Sequence, residues 1–255
     1  MEKNFRKLIA GFYVCFILMA FAVPAFPQNE NAPLSNQTIK TVIMHRLAQH
    51  QLLQKNNIKV TVKDSTITLE GTVQSLWQKK QIAQNAHQAE ESYGLINDLE
   101  LQEINISGSA LSDSVINTIR GHVFYSIFDW VTVDVTNGVV TLKGWAHVPW
   151  HRSEFKELAE KVPGVTEVKN DIQLLPESGS DDLLRIRAAR LIYNDPIFEP
   201  YTYNLVPSIH IIVNNGEVIL EGVVNTLGDR KKAADLIYYN TDASKVVNNL
   251  VVKPQ

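Results

Sequence analysis

Three segments of the chain alternate hydrophobic and polar residues and then end at a glycine. The six residues up to each glycine read TITLEG, VVTLKG and EVILEG, and the glycines are Gly71, Gly144 and Gly222. Hydrophobic residues stand two and four positions before each glycine, which is the period of a half-buried β-strand. Each segment is therefore predicted to be a strand that turns alternate side chains into a core.

A turn and a second alternating segment precede each of these strands. The turn positions hold Asp64-Ser65, Asn137-Gly138 and Asn215-Gly216. Asn-Gly favours a tight hairpin turn because both residues tolerate positive φ. The earlier alternation involves Ile58, Val60, Val62; Val131, Val133, Val135; and Ile209, Ile211, Val213. Each unit is predicted to contain a β-hairpin that ends at its glycine, where a side chain is expected to clash.

Helical spacing of apolar residues flanks each predicted hairpin. The stripe before the hairpin comprises Ile39, Val42, Ile43, Leu47; Val115, Ile116, Ile119, Val123; and Leu183, Leu184, Leu191. N-caps for these helices are predicted at Ser35 or Asn36, Ser112, and Ser180 or Asp181. The stripe after the hairpin comprises Ile82, Ala86, Ala89; Phe155, Ala159, Val162; and Ala233, Ile237. A motif with Asn97, Asn170 or Asn248 then leads into a short final strand.

The same order of elements therefore occurs three times. It predicts an α+β protein of three tandem αββαβ domains, each a small three-stranded mixed sheet with two helices on one face. The predicted domains cover residues 35–106, 110–177 and 178–255, and residues 26–34 form a short linker.

The first 25 residues have a different character. Lys3, Arg6 and Lys7 precede an apolar run over residues 8–23, and Pro24-Ala25 follows it. This pattern predicts a secretory signal peptide over residues 1–25, and hence an exported, periplasmic protein. The alternative is an uncleaved N-terminal helix that anchors the chain in the inner membrane.

Charge and cysteine content argue against two classes of protein, nucleic-acid-binding proteins and disulfide-stabilised secreted proteins. The 255-residue chain has a net charge of −3. Removal of residues 1–25 takes away three basic residues and one acidic residue, which leaves −5. This acidic balance argues against nucleic acid as a partner. The only cysteine, Cys15, lies within the predicted signal peptide, so no disulfide is expected afterwards.

The repeated motifs resemble the BON family, the bacterial OsmY and nodulation domain. The matching stretches are ITLEGTV, VTLKGWA and VILEGVV, together with INDLEL, KNDIQL and VNNLVV. The resemblance implies a non-enzymatic periplasmic or membrane-associated protein of osmotic or envelope stress, whose domains bind phospholipid surfaces. Two departures are the Asp64-Ser65 turn and the long connection NDPIFEPYTYNLVPS in the third repeat.

The corner between each glycine strand and the following helix carries the candidate contact residues. Cations beside the free N–H groups of a helix start favour an anion such as a lipid phosphate, although they oppose the helix dipole. Tryptophan next to Lys or Arg is typical of membrane interfaces. The predicted membrane or anion contacts are Trp77, Lys79, Lys80, Trp145, Trp150, Arg152, Arg230, Lys231 and Lys232.

Structural interpretations of these residues stay open. Trp77 and Trp150 alternatively cover the edge of a small core, and the basic residues alternatively form an ordinary solvated face. Tyr201 and Tyr203 either pack on the third repeat or form a contact surface. His147 and His151 have Pro149 between them and no further ligand at a recognisable spacing, so neither a metal nor a cofactor is predicted.

The chain contains no nucleophile elbow, HExxH or CxxC motif, and no catalytic residue is predicted. The predicted function is that of a non-enzymatic exported envelope or osmotic-stress protein, whose partner is a phospholipid surface or an envelope protein. The alternatives are a periplasmic interaction scaffold that uses open sheet edges, or a chaperone-like factor without lipid binding.

Overall fold

The computed structural model describes residues 35–54, 56–203 and 207–254. The predicted signal peptide and the linker to residue 34 lie outside the described residues. From Ser35 onward the chain forms one unit that contains three copies of the predicted αββαβ arrangement.

The first two repeats have the same five elements. Repeat 1 contains α1 (Asn36–Gln49), β1 (Asn57–Lys63), β2 (Thr66–Val73), α2 (Leu76–His87) and β3 (Gly94–Leu101). Repeat 2 contains α3 (Gly108–Arg120), β4 (Trp130–Thr136), β5 (Val139–Ala146), α4 (Pro149–Lys161) and β6 (Glu167–Leu174). In each sheet the hairpin is antiparallel and the third strand runs parallel to the second, so the sheet is mixed as predicted.

The third repeat keeps this order with two modifications. It contains α5 (Gly179–Tyr193), a 3-10 helix (Pro196–Tyr201), β7 (Ile209–Asn214), β8 (Glu217–Val224), α6 (Leu227–Asn240), β9 (Lys245–Asn248) and β10 (Val251–Val252). Both β9 and β10 pair in parallel with β8, so they are two parts of one interrupted third strand. The 3-10 helix lies in the long connection and places Phe198 and Tyr201 in the core.

Each repeat has its own hydrophobic core between its sheet and its two helices. The predicted stripes supply most of these cores, but three of their members are wrong, and the first is Val42 in α1, which is exposed. Helix α3 ends at Arg120, so Val123 lies in the following turn and is 81% exposed. Leu183 is exposed because Leu184, the next residue, faces the core.

Two of the predicted N-caps are also wrong. Ser35 caps α1, but Ser107 caps α3 and Ser178 caps α5. The hydroxyl of Ser112 instead donates to the carbonyl oxygen of Val133 at 3.1 Å, one helix turn inside α3. The buried carboxylate of Asp181 accepts hydrogen bonds from the backbone of the β7–β8 turn, at 2.8 Å and 2.9 Å. These side chains therefore tie helices to strands rather than start helices.

The repeated glycines are positions of close backbone contact. They lie inside β2, β5 and β8 rather than at the strand ends, with φ of +125°, +116° and +119°. A Cβ on Gly144 would stand 2.0 Å from the carbonyl oxygen of Trp130 on the partner strand. Gly71 and Gly222 have the same contact with Asn57 and Ser208, at 1.8 Å and 2.0 Å. The expected clash is thus with the backbone of the neighbouring strand.

Strand β7 joins repeat 3 to repeat 2. Its first five residues are buried, including His210 on the face away from the core of repeat 3. The rings of Tyr125 and Trp130 pack on His210 with centroids 5.4 Å and 5.1 Å away. The amide of Ile211 donates to the carbonyl oxygen of Ile127 at 2.8 Å. The α3–β4 connection of repeat 2 therefore covers one face and part of the edge of the third sheet.

Substitution Gly144→Ala should destabilise repeat 2 by about 3 kcal/mol, because the added methyl group overlaps a backbone oxygen and the residue must keep a positive φ. Urea unfolding followed by tryptophan fluorescence measures the change. The matched control is Gly179→Ala at the start of α5, where an added Cβ meets nothing within 4 Å. Equal midpoints for the two variants would contradict the proposed contact.

Acid should weaken the junction of repeats 2 and 3 through His210. Burial, with a smaller contribution from Arg120, lowers the pKa of His210 to about 4, although hydrogen bonding to the backbone of Asp129 and Ser126 opposes the shift. The unfolded imidazole takes up a proton near pH 6.5, but the folded one stays neutral until about pH 4. The stabilisation is therefore complete above pH 6.5 and falls by about 3 kcal/mol on going down to pH 4.

Denaturant unfolding of the wild type and of His210→Asn, measured at intervals between pH 7 and pH 4, tests this expectation. The variant should lack the His210 part of the pH dependence, while the carboxylates titrate equally in both proteins. Parallel stability curves for the two proteins would show that the neutral imidazole does not hold this junction.

Candidate functional site

The corner of repeat 1 is occupied by a contact with repeat 2. The indole N–H of Trp77 donates to Glu157 Oε1 at 2.9 Å, and Lys80 Nζ lies 2.6 Å from Glu160 Oε1. Leu76, the first residue of α2, packs against the core of repeat 2. Lys161 Nζ lies 5.2 Å from the centre of the Trp77 ring. The Trp77 corner therefore docks on α4, and Lys79 beside it is half-buried.

The corner of repeat 2 presents its tryptophan to solvent. Trp150 is 46% exposed and meets the ring of Phe124 edge-on, with centroids 4.6 Å apart. Phe124 itself is 45% exposed, and Val123 adjoins it in the turn after α3. Trp150 and Phe124 form one exposed apolar surface with Val123 next to them in the chain, and the three residues are called the Trp150 patch below. Sequence periodicity missed Val123 and Phe124 because it extended the helix of repeat 2 through this turn.

Trp145 lies on a different surface. It is directly opposite Trp130 in the β4–β5 hairpin. Its neighbours Gly144 and Ala146 alternate with it, and Ala146 is buried in the core. Trp145 therefore lies on the sheet face that points away from the helices. The predicted tryptophans do not form a single contact surface: the structure places Trp77 at a repeat junction, Trp145 on a sheet face and Trp150 at an exposed corner.

In the second and third corners, an arginine and the asparagine of the final strand each donate to the other's backbone carbonyl oxygen. This reciprocal pair of hydrogen bonds is called the clasp below. Arg152 Nη2 donates to the carbonyl oxygen of Asn170 at 3.2 Å, and Asn170 Nδ2 donates back to the carbonyl oxygen of Arg152 at 2.7 Å. Arg230 and Asn248 repeat this pair at 3.1 Å and 2.7 Å. The clasp joins the first turn of the second helix to the third strand.

Each motif asparagine also bonds locally. The side-chain oxygens of Asn97, Asn170 and Asn248 each accept the amide of the residue two positions on, at 3.3 Å. Repeat 1 has Lys79 where the other repeats have the clasp arginine. The asparagines and the two arginines thus have structural contacts.

The remaining basic residues of the third corner face carboxylates. Lys231 pairs with Asp235 one helix turn later, and Lys232 Nζ lies 3.5 Å from Asp195. Gly228 takes the place of the tryptophan, and Leu227 before it is exposed. This corner therefore has the basic residues that the pattern predicted but not the aromatic ring.

A buried carboxylate that sequence analysis missed holds the corner of repeat 2. Asp129 is fully buried, and its Oδ1 accepts the His147 amide at 2.9 Å and lies 3.0 Å from His151 Nδ1. Its Oδ2 accepts the amide and hydroxyl of Ser126 at 3.1 Å and 2.7 Å. No local pattern marks Asp129, because its partners are up to 22 residues away. The network fixes the turn that presents Phe124 and the helix start that presents Trp150.

The backbone amide of His147 and the side chain of His151 belong to this network. Burial lowers the pKa of His147, and the nearby Arg185 adds to this effect. Within the described ranges, no three His, Cys, Asp or Glu residues are grouped so that they could hold a metal ion.

The two tyrosines of the long connection have different surroundings. Tyr201 is buried, donates its hydroxyl proton to Asp229 and accepts the amide of Asn225 at 2.8 Å. Tyr203 is exposed and donates to Glu199 at 2.9 Å. Tyr201 therefore packs on the third repeat.

Among the helices of residues 35–54, 56–203 and 207–254, none combines the length and the apolar character needed to cross a bilayer.

Solved structures to which this chain is similar include two of CdsD, a structural protein of the type III secretion system of Chlamydia trachomatis. One, of the C-terminal domain, is 12% identical, covers 87% of this chain and 100% of that chain, and has a TM-score of 0.25. The other is 13% identical, covers 86% and 93%, and also has a TM-score of 0.25. These similarities are too weak to bear on function. Curated proteins gave no significant match.

A family model matches the chain three times. The model of the BON domain matches residues 35–103, 129–176 and 202–254, which together make up more than half of the sequence. Each match contains one of the three glycine hairpins and its asparagine strand. Proteins of this family are commonly associated with the cell envelope and are generally non-catalytic. The chain belongs to the BON domain family, with three BON repeats.

Proposed function

We propose that this chain is a non-enzymatic exported protein of the cell envelope that associates with phospholipid surfaces through the Trp150 patch of repeat 2. Export depends on the predicted signal peptide, and the periplasm is the expected compartment. Protection of the envelope under osmotic stress is the role that fits such a protein. The observation that carries the proposal is the exposure of Trp150, Phe124 and Val123 side by side at one corner.

The chemistry of the patch suits the boundary of a bilayer. An indole combines an apolar ring with one N–H group, and this combination favours the headgroup level of a membrane. Val123 and Phe124 add apolar area on a tight turn, which is a shape that can enter the headgroup layer. The buried Asp129 contacts hold both parts of the patch in place, so little ordering is needed on contact.

Apolar insertion rather than charge supports this association. Arg152 and Arg230 are held by strand carbonyls, and Lys80, Lys231 and Lys232 face carboxylates. A net charge of −5 after residue 25 gives no long-range attraction to an anionic surface. Burial of the patch supplies on the order of 3 kcal/mol, so binding through one corner is weak and reversible.

Co-sedimentation of residues 26–255 with vesicles of phosphatidylethanolamine, with and without phosphatidylglycerol, tests the proposal at low and high salt. We expect the protein to pellet with vesicles, with a blue shift of tryptophan emission as Trp150 leaves water. Trp150→Ala should weaken binding about tenfold, because it removes the largest apolar group of the patch. The matched control is Tyr239→Ala, which removes an exposed aromatic ring from α6 of repeat 3.

The outcomes of this experiment distinguish insertion of the Trp150 patch from nonspecific adsorption, from a protein partner and from a lipid contact through Arg152. Loss of pelleting in both Trp150→Ala and Tyr239→Ala would indicate nonspecific adsorption. Absence of pelleting at low salt would refute direct lipid binding, and the Trp150 patch would then be assigned to an envelope protein, to be captured by cross-linking from position 150. A loss in Arg152→Gln alone would make the clasp arginine the lipid contact.

A further inference from the structure

A cleft of about 460 Å³ lies between repeats 2 and 3, apart from the Trp150 patch. Arg120, Tyr125 and Trp130 line it from repeat 2, and Ser208, His210 and Val223 line it from repeat 3. This volume lies within the range of small-molecule sites. Because both repeats contribute walls, a ligand in the cleft would contact the two repeats at once.

The cleft contains a cation without an anion. The guanidinium carbon of Arg120 lies 4.8 Å from the centre of the Trp130 ring, and Nη2 donates to the carbonyl oxygen of Val131 at 3.3 Å. Its Nε is buried and has no hydrogen-bond partner. Among the described residues that line the cleft, none is Asp or Glu. Asp129, next to Trp130, is already bonded to Ser126 and His151.

A second buried group has one polar atom without a partner. His210 is only 4% exposed and its Nδ1 has no hydrogen bond, while the backbone of Asp129 and Ser126 acts on the ring. An unpaired polar atom at this depth costs free energy unless a ligand or water satisfies it. Tyr125 adds a third group: its hydroxyl oxygen accepts the amide of Val131 at 3.4 Å, which leaves its proton free to donate. Burial raises the pKa of Tyr125 to about 12, so that proton stays in place.

Flat rings and an aliphatic side chain form part of the walls around these groups. The rings of Tyr125 and Trp130 come from repeat 2, and the side chain of Val223 comes from repeat 3. A site with a single cation and neutral donors fits a ligand with one negative charge better than a ligand with two. Flat rings match a planar apolar group attached to that charge.

We propose that the cleft between repeats 2 and 3 binds a small organic carboxylate that carries a planar apolar group. The carboxylate accepts from Arg120 and Tyr125, with His210 as a further polar partner, and the planar group lies against Trp130. This site shares no side chain with the Trp150 patch and does not depend on lipid binding. Occupancy bridges the two repeats and stabilises their junction.

Fluorine NMR of fluorotryptophan-labelled protein, residues 26–255, tests the site with benzoate as the probe. This chain retains the whole unit from Ser35 onward, including all three cores. The sequence has 4 tryptophans, and Trp130→Phe identifies the signal of Trp130. We expect benzoate to shift that signal saturably, with half-saturation at about 5 mM or below. Benzamide has the same shape without the charge and should leave it unshifted, and inorganic phosphate should shift it far less.

Two variants locate the interaction, and one controls for charge. Arg120→Gln should weaken benzoate binding at least about tenfold. His210→Asn keeps the arginine, and so tests the site even if Arg120→Gln perturbs the fold, with an expected weakening of several-fold. Arg187→Gln removes an exposed arginine from α5 and should bind as the wild type does. Equal shifts by benzoate and benzamide, preference for phosphate, binding that survives Arg120→Gln, or no saturable shift would each overturn the proposal.

Discussion

Each repeat depends on one backbone contact, in which a carbonyl oxygen occupies the space where any other residue would have its Cβ. The oxygen belongs to Asn57 or Trp130 at the start of the first strand, or to Ser208 just before it, and the glycine lies on the second strand. In repeats 1 and 2 the hairpin pairing continues one residue past the glycine, and in repeat 3 it ends at Gly222. The second strand then continues for two more residues and leads directly into the corner of the second helix. The glycine therefore sets where the corner begins, and with it the positions of Trp77, Trp150 and the basic residues of the corners.

The corners show how one scaffold is used in three ways. Trp77 and Trp150 occupy equivalent positions, yet the first is bonded to Glu157 and the second meets Phe124 at the surface. Gly228 replaces them in the third repeat. The different surroundings of Trp77 and Trp150 come from the residues that face each corner, not from the corner itself. Carboxylates on α4 receive the first corner, whereas an aromatic turn accompanies the second.

Elements that repeat along the chain could be predicted from the sequence, because each copy carries the same turn, glycine and asparagine at matching offsets. Contacts that occur in only one repeat could not be predicted from the sequence. Asp129 has no counterpart in the other repeats, and its partners lie on a turn, a strand end and a helix. The caps at Ser107 and Ser178 were missed because several serines stand before each helix and only packing selects one. Val123 fits the helical spacing, but the helix ends before it, at Arg120.

The hydrogen bond between Ile127 and Ile211 means that the unit of sequence repetition is not the unit of folding. The backbone and aromatic rings of the second repeat pack on the third sheet. In turn, Phe128 of the second repeat packs against the core of the third. During evolution, a duplication or deletion of one repeat at this end of the protein would leave Phe128 and His210 uncovered. We therefore expect recombination to move repeats 2 and 3 together, so that this pair is inherited as a single module.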